Sequence, residues 1–385
     1  MIEEIVNKQE PIGLYIHIPF CARKCNYCDF PSYSGLSSMY HDYTEALCKE
    51  ISMISEKYDY PEVDTVFIGG GTPSVLPSSE IVKILGTLFQ SVKVKKHSEI
   101  TLEANPGTIS KETASAIIGA GVNRFSVGLQ AAQNRLLESM GRIHTKEMFI
   151  ECINFLKSLG IYNINADIIF GLPGQSMKDW IETTDLVLKS DLSHISCYSL
   201  KIEEGTPWFE MRKKGVLPEV DEDLEREMYY RVISDAKNVG YHHYEISNFS
   251  KPGYECRHNL KYWTGKPYIG AGAAAHSFMY NERYANVLNP SEYISCIMKN
   301  TQPIAFSELI DPEERLSESL ILGLRKIEGL SIKKLEREFG YESIENYKMK
   351  IEMLEKKGLV SYDGDILKLT KTGLDYANLV WIEFI

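Results

Sequence analysis

Gly13-Leu-Tyr-Ile-His-Ile-Pro-Phe-Cys21-Ala-Arg-Lys-Cys25-Asn-Tyr-Cys28 is the stretch from which the fold is read. Its first half is an apolar run, the pattern of a buried strand. Its second half sets three cysteines within eight positions of one loop, at the strand's C-terminal end. Thiolates are soft ligands that suit iron–sulfur clusters, zinc and copper. A structural zinc site closes four ligands, and no second Cys pair or Cys/His pair stands nearby. A four-iron cluster can be held by three thiolates, which leaves one iron open to a further ligand. Free cysteines also pack in cores, but core packing does not require three of them beside a glycine-rich motif.

Outward from that stretch, 385 residues allow one large domain and a smaller one. Apolar content of 44% and charged content of 25% are those of a globular protein. A net charge of −11 argues against a general nucleic-acid binder. Five further cysteines, Cys48, Cys152, Cys197, Cys256 and Cys296, are scattered, so the eight do not form a secreted disulfide framework. Together with a labile cluster this points to a reducing, cytoplasmic setting. No apolar run approaches the roughly 20 residues that span a bilayer, and Met1-Ile-Glu-Glu does not open a signal peptide. Peripheral membrane contact is left open by the composition.

From residue 13 to about 200, short apolar runs alternate with longer amphipathic segments. Strands are expected at 14–18, 65–69, 100–104, 124–128, 163–170 and 194–200, and helices at 39–57, 80–89, 111–119, 147–159 and 177–189. This alternation predicts an α/β fold with a parallel sheet covered by helices, six units that fit a partial or full β/α barrel. No Gly-x-Gly-x-x-Gly follows the first strand, which lowers the case for a dinucleotide fold. The unusual residues fall at the C-terminal ends of the strands, where such a barrel keeps its active site. They are the three cysteines, Gly69-Gly-Gly-Thr-Pro73, Glu103-Ala-Asn-Pro106, Gly128-Leu-Gln130, Asp167 with Gly171-Leu-Pro-Gly-Gln175, and Tyr198. Consecutive glycines let backbone approach a ligand without a Cβ in the way. Glu103 can accept from an ammonium, and Gln130, Arg142 and Asp167 can contact a carboxylate and hydroxyls. Taken singly, each motif also reads as a tight turn or a solvated strand end.

Residues 205–303 read as an extension of the sheet. Gly205-Thr-Pro-Trp208 opens a loop and 221–237 reads as a long charged helix. Tyr241-His-His-Tyr-Glu and Cys256-Arg-His258-Asn-Leu-Lys-Tyr-Trp263 follow. The density of His, Tyr and Trp suits a flat aromatic ligand or an axial haem ligand; it equally suits an aromatic domain seam. Residues 304–385 read as a separate unit with helices at 311–325, 331–338 and 343–357, a small hairpin around an Asp-Gly turn, and a last helix near Thr370. That is a winged-helix-like arrangement. Such units often bind DNA, but the mixed charge here favours a packing or lid role.

The cysteine spacing resembles that of the radical SAM superfamily. Together with Gly-Gly-Gly-Thr-Pro73, Glu103-Ala-Asn-Pro, Ser126-Val-Gly-Leu-Gln130, Gly141-Arg-Ile-His144, Asp167-Ile-Ile-Phe-Gly-Leu-Pro-Gly-Gln175 and His258-Asn-Leu-Lys-Tyr-Trp263, it makes nearly the whole chain similar to the oxygen-independent coproporphyrinogen III oxidases. The resemblance implies a partial (β/α)6 barrel across 1–204, with a β extension across 205–303 and a winged-helix-like domain across 304–385. It implies a [4Fe-4S] cluster on Cys21, Cys25 and Cys28, whose open iron chelates S-adenosylmethionine and, once reduced, splits it to methionine and a 5′-deoxyadenosyl radical. The matching positions for S-adenosylmethionine are Tyr15, Tyr27, Gly70, Gly71, Thr72, Glu103, Gln130, Arg142 and Asp167.

Two features separate the branches of that family. The oxidases carry another Cys two positions after the third, where this chain has Phe30. A second branch lacks that Cys and has the His-Asn-x-x-Tyr-Trp signature found here; its members resemble haem chaperones, which bind haem and deliver it to haem-requiring respiratory proteins. That branch implies a haem or porphyrin ligand, with His258 as the candidate ligand to iron, a low-potential electron donor and no nucleic acid. The alternative is the oxidase reaction itself, oxidative decarboxylation of propionates to vinyls.

Overall fold

The computed structural model describes residues 10–385; Met1-Ile-Glu-Glu lies outside them. Strand β1 (Ile12–Ile18) is buried on both faces, as its unbroken apolar run requires of an interior parallel strand. It is followed in order by β2 (Glu62–Gly70), β3 (Lys93–Ala104), β4 (Arg124–Gln130), β5 (Ile164–Phe170) and β6 (His194–Ser199). These six pair in parallel in chain order. The register sets Leu14 beside Val66, Val66 beside Ile100, and Leu102 beside Phe125.

Helices α1 (Tyr40–Lys57), α2 (Ser78–Ser91), α3 (Lys111–Gly119), α4 (Lys146–Ser158) and α5 (Met177–Lys189) are the crossovers. Their ends are written in the sequence. Ser110 and Thr145 cap α3 and α4, and Ser176 with Asp179 forms a full capping box on α5. Each turns an apolar stripe inward: Leu47, Ile51, Leu85, Leu88, Phe149 and Trp180 are buried in one core with the strands.

The barrel does not close. Beyond β1 the sheet continues through a further parallel strand and then antiparallel ones, and beyond β6 through two antiparallel strands. Helix α6 (Glu222–Asn238) leads into β7 (His242–Glu245) and β8 (Asn248–Ser250), which cover the β6 edge. Helix α7 (Arg257–Trp263) then crosses to the other side, where β9 (Tyr268–Ala271), β10 (His276–Met279), β11 (Glu282–Asn286) and β12 (Ile304–Leu309) extend the β1 edge. Several helices stand where the sequence suggests none, among them Pro207–Lys213, Arg257–Trp263, Asn134–Ser139 and Pro290–Met298. Pro207–Lys213 is helical because Thr206 caps it and Pro207 takes its first position. Helix α7 spans only seven residues, too few to show a period.

A second core begins at Leu316. It is built by α8 (Pro312–Gly323), α9 (Ile332–Phe339) and α10 (Tyr341–Lys356) with the hairpin β13 (Val360–Tyr362) and β14 (Ile366–Leu369). The short strand Leu330–Ser331 completes a three-stranded sheet, the winged-helix arrangement. Asp311 caps α8 ahead of Pro312, and Gly364 supplies the positive φ of the Asp-Gly turn. Among the described residues no helix is long and apolar enough to cross a membrane.

Candidate functional site

The three cysteines lie on the loop that leaves β1. Its base is closed where Phe20–Cys21 pairs with Tyr33–Ser34. Asn26 pins its middle: its N–H donates to the Met140 carbonyl at 2.9 Å, its Nδ2 to the Ser139 carbonyl at 2.8 Å, and its own carbonyl accepts from Trp208 N at 2.9 Å. The three thiols are electrostatic neighbours. Burial pushes the Cys25 thiol up while the Arg142 cation pulls it back, and burial raises Cys28 as well. Among the described residues no His, Cys, Asp or Glu set converges tightly enough for a single metal ion. Three thiols on one loop are soft donors of the type an iron–sulfur cluster takes.

Beside the cysteines, Gly69–Thr72 runs against β1. Gly71 N donates to the Ile18 carbonyl (2.8 Å) and Thr72 N to the Phe20 carbonyl (2.7 Å). A Cβ on Gly71 would come within 2.6 Å of the Phe20 carbonyl oxygen. One on Gly70, whose φ is +109°, would come within 2.4 Å of the His17 ring. His17 ties β1 to the end of the cysteine loop. Its Nε2 donates to the Pro31 carbonyl (2.9 Å), which leaves Nδ1 to accept from the Tyr15 hydroxyl (3.0 Å). Burial lowers its pKa to about 4, so the ring is neutral.

Two carboxylates face the mouth. Glu103 accepts one hydrogen bond, from Gly70 N at 3.1 Å. Burial first, and then the Asp167 charge, push its pKa to about 8. Asp167 accepts from Ser126 Oγ (3.1 Å) and Asn165 Nδ2 (2.8 Å), and burial raises it too. A nearly unpartnered buried carboxyl beside a glycine backbone is a seat for an ammonium. Gln130 ends β4 with a left-handed φ of 68° and is buried. Arg142 donates from Nη2 to the Tyr27 hydroxyl (2.6 Å) and from Nη1 to Asn105 Oδ1 (2.8 Å), while its Nε is buried without a partner. Burial raises the Tyr27 phenol to about 12 against the pull of Arg142. The sequence gives no role to His17 or Asn105, because their partners are close only in three dimensions.

His258 lies at the start of α7, its ring centre 6.5 Å from that of Tyr15. It is 1% exposed. Thr65 Oγ1 meets its Nδ1 at 2.9 Å and the Tyr262 hydroxyl meets its Nε2 at 2.9 Å. Burial, then the Lys261 and Arg124 cations, lower its pKa to about 3. In this conformation neither ring nitrogen is open to a metal. Trp263, at the other end of α7, lies under the Arg325 guanidinium at 4.2 Å, so the aromatic segment also forms the seam to the C-terminal domain.

This fold and this cysteine loop define a radical SAM protein: residues 15–187 match the model of the Radical SAM superfamily, and residues 310–376 match the HemN C-terminal domain. That class carries a [4Fe-4S] cluster and S-adenosylmethionine. The chain is 36% identical over 372 residues to the heme chaperone HemW of Bacillus subtilis, covering 96% of this chain and 98% of that one. It is 32% identical over 377 residues to the heme chaperone HemW of Lactococcus lactis, covering 98% of each. The chain belongs to the HemW family of heme chaperones. Its fold is also that of the coproporphyrinogen III oxidase HemN of Escherichia coli, with a TM-score of 0.87 over 98% of this chain and 90% of that one at 20% identity.

Proposed function

We propose that this chain is a cytoplasmic haem chaperone: it binds haem as cargo and delivers it to haem-requiring respiratory proteins. In this reading Cys21, Cys25 and Cys28 hold the [4Fe-4S] cluster. Tyr15, Tyr27, Gly70, Gly71, Thr72, Glu103, Gln130, Arg142 and Asp167 hold S-adenosylmethionine. What supports cargo binding over conversion is similarity along the full chain to relatives named heme chaperones. Phe30, 62% exposed, occupies the position at which the oxidase branch has a cysteine.

When bound, the cluster supplies one-electron reductive cleavage of the sulfonium, fed by a low-potential donor. The chain's own residues supply position. The Gly70–Gly71 backbone gives close approach, and Glu103 accepts from the amino group. Arg142, cationic and short of a partner at Nε, attracts the carboxylate, and Asp167 is placed for ribose hydroxyls. Haem is the cargo, and His258 is the ligand suggested by its motif. To reach iron, its Nε2 must give up Tyr262.

Anaerobic reconstitution and haem titration test this reading. Cys21→Ala, Cys25→Ala and Cys28→Ala should each lose the cluster's visible absorbance, while Cys48→Ala, in the core, keeps it. Haem should form a saturable complex and pass to an apo-haem protein. A Cys28→Ala chain with full iron, or no saturable haem complex, would sink the proposal.

A further inference from the structure

We infer that Asn105 is a positioning residue that aims the Thr72 hydroxyl at Cys21 Sγ and so raises the reduction potential of the cluster. The inference rests on the cysteine assignment proposed above. Four side chains form one line of hydrogen bonds: Arg142 Nη1 to Asn105 Oδ1 at 2.8 Å, Asn105 Nδ2 to Thr72 Oγ1 at 2.9 Å, and Thr72 Oγ1 to Cys21 Sγ at 3.6 Å.

The direction of the line is set at its far end. A guanidinium has only donors, so Asn105 must present its oxygen to Arg142. Its Nδ2 then faces Thr72 as a donor. The Thr72 hydroxyl receives that bond on oxygen, and its own hydrogen is free to point on to the sulfur. With the amide reversed, Thr72 would turn its hydrogen to Asn105 and leave Cys21 without a donor.

The Asn105 backbone is held as firmly as its side chain. Its N–H donates to Ser74 Oγ (3.3 Å), and its carbonyl accepts from Thr108 N (3.1 Å) and Thr108 Oγ1 (2.8 Å). Gly128 leaves the room: a Cβ there would come within 2.8 Å of Asn105 Oδ1. A hydrogen bond donated to a cluster sulfur stabilises the more negative, reduced state, and such bonds are among the terms that set cluster potentials.

The test is an anaerobic redox titration of the reconstituted full chain without S-adenosylmethionine, followed by electron paramagnetic resonance. Thr72→Val and Asn105→Leu should each lower the midpoint potential, and Thr72→Ser should stay at the wild-type value. Combined with Thr72→Val, Asn105→Leu should lower it no further, because Asn105 acts through that hydroxyl. An Asn105→Leu chain at the wild-type potential, or the same added drop in the Thr72→Val background, would overturn the inference. If Asn105→Leu takes up iron poorly, Asn105→Ala serves in the same cycle. Loss of the cluster in Cys21→Ala reports on the ligand assignment, and variants with full iron report on Asn105. A wild-type chain that takes up no cluster overturns both.

Discussion

At the residue scale the site works against stability. Glu103 has a folded-state pKa of about 8, raised from 4.5 by burial and by Asp167. A raised pKa means the folded chain holds a proton that the unfolded chain releases. The stabilising contribution is therefore present below the unfolded pKa and is lost as pH climbs through about 8. Glu103→Gln removes this dependence: the gain in melting temperature over wild type, without ligands, should grow from pH 5 to pH 8.5. A gain that is flat with pH would contradict the assignment. Gly70→Ala should destabilise the chain by about 2 kcal/mol in denaturant titration, because its φ of +109° disfavours a side chain and the added Cβ would come within 2.4 Å of the His17 ring. At this scale the motifs point to residues that the fold brings near one another, Glu103 beside Gly70 and Asp167, and Arg142 beside Tyr27 and Asn105. Their wiring was not legible: the bonds that fix Thr72, Asn105 and Arg142 join residues tens of positions apart, and no local pattern encodes them.

At the element scale, α7 is the joint of the molecule. Its N-terminus is capped from below by Glu99, whose carboxylate accepts from Arg257 N and His258 N at 3.2 Å each. Glu99→Ala should cost about 2 kcal/mol through loss of that cap, measured by chemical denaturation, with the cluster spectrum unchanged. His258→Ala strands the Thr65 and Tyr262 hydroxyls in the core and should cost about 2–3 kcal/mol. If His258 also ligates haem, the variant loses haem affinity at temperatures where it is still folded; undiminished affinity there would exclude it as a ligand. The sequence shows α1 to α5 because they carry a period of apolar residues, and α3 to α5 because they are also capped. It does not show α7, a short helix of about two turns held by tertiary bonds. Nor does it show that residues 205–303 split between the two edges of the sheet, because short strands such as β7, at one edge, carry no alternation long enough to assign a neighbour.

At the scale of the whole molecule, Arg325 ties the winged unit to the rest. Its guanidinium lies 4.2 Å from the Trp263 ring centre and 5.7 Å from that of Trp381, and reaches the buried Glu245 at 3.4 Å. Removing it leaves that carboxyl without its cation, so Arg325→Ala should cost about 3 kcal/mol and speed proteolysis near residue 310; an unchanged cleavage rate would show that the seam is held elsewhere. The central claim is that this radical SAM scaffold carries haem and does not make its precursor. The most direct test is anaerobic. The reconstituted chain is given S-adenosylmethionine, a low-potential reductant and coproporphyrinogen III, and vinyl products are counted against 5′-deoxyadenosine. The account predicts no porphyrinogen conversion by a chain that still binds haem. Vinyl product over many turnovers would contradict it and make the chain an oxidase, with Phe30 a tolerated replacement.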